Sequence, residues 1–131
     1  MVNNKIPKIL IILFTSDFYK YYYGLNIASS YKATNKNVTL FYSGYAINFL
    51  SKCWKDYDKK NTNKKLIEKN MPNYLEMLDI CIQLKVSFYF CKTAMEFLNL
   101  SEDDLMVKLN IKSAPLYHIL NKYKNSQTIF I

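Results

Sequence analysis

Lys8–Phe14, KILIILF, is an unbroken apolar run rich in β-branched residues. Strict apolar–polar alternation marks a strand with one wet face, whereas a continuous run of this length marks one buried on both faces, as in a parallel sheet. A central strand is therefore expected here. Ile9 to Phe14 is too short an apolar run for a signal-peptide core or a spanning helix, which need roughly 7–15 and about 20 residues. Lys5, Pro7 and Lys8 also interrupt the apolar residues at its start. No membrane partner follows from this segment, and the expected location is the cytoplasm.

Outward from that run, Thr15, Ser16 and Asp17 are capping candidates for a helix over Phe18–Thr34, where Tyr22, Leu25, Ile27 and Ala28 recur at helical spacing. Asn35–Asn37 reads as a turn and Val38–Tyr42 (VTLFY) as a second strand. Ser43 and Gly44 break it, and Tyr45–Trp54 is expected to form a helix. Lys55–Lys65 (KDYDKKNTNKK) is too polar to bury and reads as a mobile lysine-rich loop. Asn73–Leu84 has the pattern of an amphipathic cover helix, with Pro72 in its first turn. Val86–Phe90 (VSFYF) reads as a third strand, Thr93–Leu98 and Ser101–Val107 as short helices, and Leu109–Ile111 as a fourth strand. Ala114–Lys122 reads as a last helix and Gln127–Ile131 as a closing strand. Strands alternating with helices predict a three-layer α/β/α sandwich around a mostly parallel sheet.

Composition sets the limits of function. With 131 residues, half of them apolar, the chain is long enough for one domain with a substantial core, expected to span 1–131. Its 2 glycines, Gly24 and Gly44, lie far apart, which excludes glycine-rich phosphate loops and dinucleotide fingerprints. The net charge of +8 comes from 18 basic residues that are all lysine. Without arginine there are no forked contacts to phosphate or guanine, so nucleic acid is not the expected partner. Cys53, Cys81 and Cys91 form no CxxC pair, and with His118 as the only histidine they have no zinc-ligand spacing. Neither metal nor cofactor is implied.

Ligands of open parallel sheets sit beyond the carboxyl ends of the strands. Three loops are expected there: Thr15–Asp17, Ser43–Gly44 and Cys91–Thr93. Cys91 stands at a strand-to-helix junction, with Lys92 beside it, a setting that can bring a thiol pKa down to roughly 3.5–7.5. A small buried hydrophobe at the end of a core strand is the alternative reading of the same residue. Cys81 falls with Tyr74, Met77 and Leu78 and reads as core, while Cys53 beside Trp54 reads first as an incidental half-buried residue and alternatively as a second, exposed thiol. Asp17 reads first as a helix cap and His118 as a packed or surface histidine. Tyr21, Tyr22 and Tyr23 place at least one ring toward solvent, where an interface would use it.

Cys91–Leu100 (CKTAMEFLNL) resembles the cysteine motif of the DsrE/DsrF-like sulfur-relay family, with Cys91, Ala94, Met95, Glu96, Phe97, Leu98 and Leu100 matching. Asn99 stands where that motif has glycine, and asparagine tolerates the left-handed conformation better than most residues. Similarity extends over Met71–Val86, the opening strand and helix, the Thr39–Leu50 segment and the closing helix and strand. The resemblance implies a five-stranded sheet, assembly into trimers or hexamers, and a cysteine that takes sulfane sulfur as a persulfide or thiosulfonate and passes it to a partner protein's thiol. Cys91 would be that cysteine, supported by Thr15, Ser16, Asp17, Ser43, Gly44, Lys92, Thr93 and Met95. The alternative is a non-catalytic assembly subunit that binds partners through exposed aromatics and lysines.

Overall fold

The computed structural model describes residues 6–131, so Lys5 lies outside the described residues. Five strands, β1 (Lys8–Leu13), β2 (Asn37–Tyr42), β3 (Ser87–Phe90), β4 (Lys112–Ser113) and β5 (Gln127–Phe130), form one sheet in the order β4-β3-β2-β1-β5. Every pairing is parallel, with β1 running Lys8↔Asn37 to Leu13↔Tyr42 against β2 and Ile9↔Gln127 to Ile12↔Phe130 against β5. β1 is thus interior and paired on both sides, which is why its sequence needs no polar alternation. The helices are α1 (Phe18–Ala33), α2 (Thr62–Glu68), α3 (Tyr74–Gln83), α4 (Lys92–Phe97) and α5 (Leu116–Lys122). Among the described residues no helix is long and apolar enough to cross a membrane.

Strand alternation sorts the core into two layers. Ile9, Ile11, Leu13, Val38, Leu40, Tyr42, Phe88 and Phe90 belong to a large cluster with α1 and α3, while Leu10, Ile12 and Phe41 pack with Ala114, Ile119 and Tyr123 around α5. The chain steps from β1 to β4 in one direction and then returns across the sheet to β5, so α5 lies on the opposite face from α1 and α3. Thr39 on that second face is buried but satisfied, its hydroxyl 2.6 Å from the Tyr123 hydroxyl.

Local chemistry explains the boundaries. Asp17 caps α1 by accepting from Lys20 N–H at 2.9 Å, and Asn73 and Glu76 form a reciprocal capping box on α3. Pro72 therefore precedes the cap and is not in the first turn of α3. Four further expectations need correction. Tyr45–Trp54 is not an α-helix: Gly44–Leu50 and Trp54–Tyr57 are two 3-10 helices separated by Ser51, which bridges to Leu105. Lys55–Lys65 is not a structureless loop: Asp58 accepts from the N–H groups of Thr62 and Asn63, starting α2, and Leu66 at the far side of α2 is buried. Ser101–Val107 shortens to a 3-10 turn over Glu102–Asp104, with Ser101 in a box with Asp104. The fourth strand forms at Lys112–Ser113, after Leu109–Ile111, whose apolar side chains pack against the main core instead.

Candidate functional site

β3 ends at Phe90, and Cys91 follows as the residue that starts α4, in extended conformation at φ −89 and ψ 114. Its main chain is fixed at both ends: Cys91 N–H donates to Tyr42 O at 2.9 Å, and Cys91 O accepts from Met95 N–H at 3.1 Å. Phe90 points into the main core, so the next side chain turns to the other face, where half-buried Cys91 packs with Tyr89 against the α5 cluster. Cys91 thus packs against the second core layer and stays partly accessible to solvent. Asn99 exits α4 at φ 57, the left-handed conformation anticipated where the motif has glycine.

The register of the sheet sets the neighbours. Tyr42 pairs with Phe90, so Ser43 and Gly44 lie on the adjacent strand end, while Thr15–Asp17 lie one strand further, about 10 Å across at roughly 5 Å per strand. Ser43 is tied down, its N–H and hydroxyl both donating to Leu13 O at 2.8 and 3.1 Å. Gly44 has φ +49 and faces the Phe14 ring, so a side chain there would be strained and would collide with it. Thr15 accepts from Asp17 N–H at 3.0 Å, and the Lys20 N–H holds the Asp17 carboxyl below its ordinary pKa, with Lys60 3.7 Å away. These residues shape the rim chiefly by fixing its turns. Lys92 and Thr93 are exposed on the first turn of α4, but Met95 is only 3% exposed within the main core. Its place is packing in the main core.

The other thiols separate clearly. Cys81 is buried, donates to Leu25 O, and burial pushes its pKa up to about 12. Cys53 is exposed between the two 3-10 helices, as in the alternative reading of its sequence context and not the half-buried one. Of the three consecutive tyrosines, Tyr21 and Tyr22 are buried and Tyr23 is exposed.

Sequence reasoning missed a run of exposed rings along the same rim. Phe130 stacks on Phe14 at 5.8 Å, Phe14 meets Tyr45 at 5.9 Å, and Tyr45 meets Phe97 of α4 at 6.5 Å. Phe14, Tyr45 and Phe130 line an open groove of about 580 Å³ with Thr15, Ser16 and Lys20. That groove opens between the carboxyl ends of β1 and β5, where successive connections leave the sheet in opposite directions, the usual crevice of such folds. The signal was the apolar Phe14 directly beyond a strand end, but strand residues and rim residues of one type look alike in sequence.

A family model described as DsrE/DsrF-like family matches residues 8–129. Among curated proteins none matches. Three solved structures are similar in fold. The ychN protein from E. coli aligns with TM-score 0.71 and 16% identity over 96% of this chain and all of that one. MTH1491 from Methanobacterium thermoautotrophicum gives 0.64 and 11% over 95% and 99%, and BT1422 from Bacteroides thetaiotaomicron gives 0.59 and 13% over 94% of each. The latter two are described as proteins of unknown function.

Proposed function

The chain belongs to the DsrE/DsrF-like family, which implies a role of sulfur-relay type, and from that premise we propose that it carries sulfane sulfur on Cys91. The observation that supports this most is a partly accessible cysteine at the junction of β3 and α4, in the stretch that resembles the family's cysteine motif. The Cys91 thiol loses its proton to solvent. Its thiolate attacks the outer sulfur of a donor persulfide, forming the new S–S bond as the donor's own S–S bond breaks and the donor thiolate leaves. A partner protein's thiolate then attacks the outer sulfur of the Cys91 persulfide, and Cys91 leaves as thiolate. No net oxidation occurs in either step. Ser43 and Gly44 set the shape beside the thiol, and Lys92 and Thr93 lie on the first turn of α4 beside it.

The exposed rings at Phe14, Tyr45, Phe97 and Phe130 support a partner protein docking on the same rim, since clustered apolar exposure is what interfaces use. They equally favour the second reading, a subunit that only docks. Intact-protein mass spectrometry after incubation with a persulfide donor separates the two. The carrier gains a sulfur atom that is lost in Cys91→Ser and retained in Cys53→Ser, whereas a docking subunit stays unmodified. Cys81 serves as the internal control, silent to alkylation until the chain unfolds.

A further inference from the structure

The two edges of the sheet are built differently. At one, β4 is two residues long, carries Lys112 and is closely followed by Pro115, the kind of short, charged edge that discourages further pairing. At the other, β5 is four residues long, and Asn125–Ile131 contains no lysine, no acid and no proline in a chain with 18 basic residues. Among the described residues β5 pairs only with β1. Ile131 N–H donates to Ile12 O at 2.9 Å and Ile131 O accepts from Phe14 N–H at 2.6 Å, so this residue turns both main-chain groups inward. Main-chain groups alternate along a strand, so Ile129 also faces β1, while Thr128 and Phe130 turn their N–H and C=O groups outward. Both of those residues are exposed, Phe130 to 67%.

We propose that this open edge pairs antiparallel with the same edge of a second copy, about a two-fold axis at Ile129. Thr128 of one copy and Phe130 of the other then exchange both main-chain hydrogen bonds, on each side of the axis, and all four outward groups of each strand are used. The Ile129 side chains face each other in the non-bonded pair between them. Moving the axis to Thr128 would call on Ser126, whose N–H is already given to Tyr123 O. Charge selects the occupant. A segment without charged side chains offers an acidic partner little, and on a chain of net +8 it is where a second copy meets the least repulsion. Antiparallel register also keeps the two copies' Lys124 about 30 Å apart, well beyond the screening length of roughly 8 Å, whereas parallel pairing would set them side by side. Such a contact closes as a dimer, or as part of a larger even-numbered assembly such as a hexamer, and it excludes an isolated trimer. It does not depend on the sulfur chemistry.

Sedimentation velocity on the full chain tests this with Thr128→Pro, which removes only an outward N–H, and Phe130→Lys, which charges the edge. Wild type is expected at twice the chain mass or a higher even multiple, and each variant at half the wild-type mass with unchanged circular dichroism. If Thr128→Pro does not fold, Phe130→Lys decides. Register is read by oxidising Ile129→Cys in a Cys53→Ser, Cys91→Ser chain: directly opposed Cα atoms about 4.5 Å apart lie within disulfide reach, and a linked dimer is expected. Thr128→Cys, displaced from its symmetry mate, should not link. A wild type that is monomeric at every concentration overturns the proposal, as does an assembly that survives Phe130→Lys and fails to link through Ile129→Cys.

Discussion

Tyr74 donates its hydroxyl proton to Phe49 O at 2.5 Å, and that single fact orients three buried side chains. Having used its one proton, Tyr74 accepts from Tyr21 at 2.8 Å, and Tyr21 in turn accepts from Tyr42 at 2.8 Å. Burial raises the pKa of all three hydroxyls, so each is a neutral donor, and the relay runs from β2 through α1 and α3 to the 3-10 segment Gly44–Leu50. The direction makes the three substitutions unequal. Tyr74→Phe strands both the Phe49 carbonyl and the Tyr21 proton and is expected to cost about 1–3 kcal/mol, while Tyr42→Phe removes only the first donor and costs about 1 kcal/mol. Urea unfolding of the two variants checks the order, and equal losses would refute the direction. Nothing in the sequence shows this network, because Tyr21, Tyr42 and Tyr74 lie on three separate elements and read individually as ordinary core aromatics.

At the scale of elements, helix ends carry the mark of a chain with 2 glycines. Asn35, Asn70, Lys85 and Asn99 take the left-handed conformation where helices stop. Lys85 completes a Schellman exit from α3, with Lys85 N–H on Ile82 O and Val86 N–H on Cys81 O, both at 3.0 Å. A lysine there is strained by about 1–2 kcal/mol, and glycine relieves that strain while losing roughly 0.5–1 kcal/mol to chain entropy. Lys85→Gly should therefore raise stability by up to about 1 kcal/mol, seen as a higher urea midpoint with unchanged slope. Strand and helix positions were largely legible for related reasons. KILIILF reads as a two-sided strand, and Asp17 as the cap where the first helix begins, whereas the cap at Asn73 was hidden behind Pro72. The failures share a cause: Lys55–Lys65 hides α2 because its one buried anchor, Leu66, lies just past the polar run, and β4 is held by the edge of β3 without a pattern of its own. Around the candidate site, the junction at Cys91 was legible from the end of a strand run and the turn at Ser43 and Gly44 from the broken strand. Met95 misled because the motif marks positions without saying which face of α4 they occupy.

At the scale of the molecule, charge is unevenly spread. No acid follows Asp104 in the chain, while Lys108, Lys112, Lys122 and Lys124 do. Two ion pairs are present among the described residues, Lys60–Asp17 at 3.7 Å and Lys108–Asp79 at 2.9 Å, both open to solvent and worth little. Repulsion among lysines outweighs them, so raising ionic strength from about 0.01 M to about 0.15 M, which shortens screening from roughly 30 to 8 Å, should raise the melting temperature. Calorimetry at the two salt levels reads this directly, and a flat or falling midpoint would show that the attractive pairs dominate.

The register Ile9↔Gln127 joins strands separated by nearly the whole chain. β2 can pair with β1 soon after both leave the ribosome, but β5 is synthesised more than a hundred residues later, and at roughly 5–20 residues per second that interval is on the order of ten seconds. Throughout it, KILIIL has one flank open, and an open apolar strand edge is a template for aggregation. Biogenesis of this fold is therefore a timing problem: its most hydrophobic strand is translated early and closed last, so translation speed and chaperone cover during that window should govern how much native protein a cell recovers.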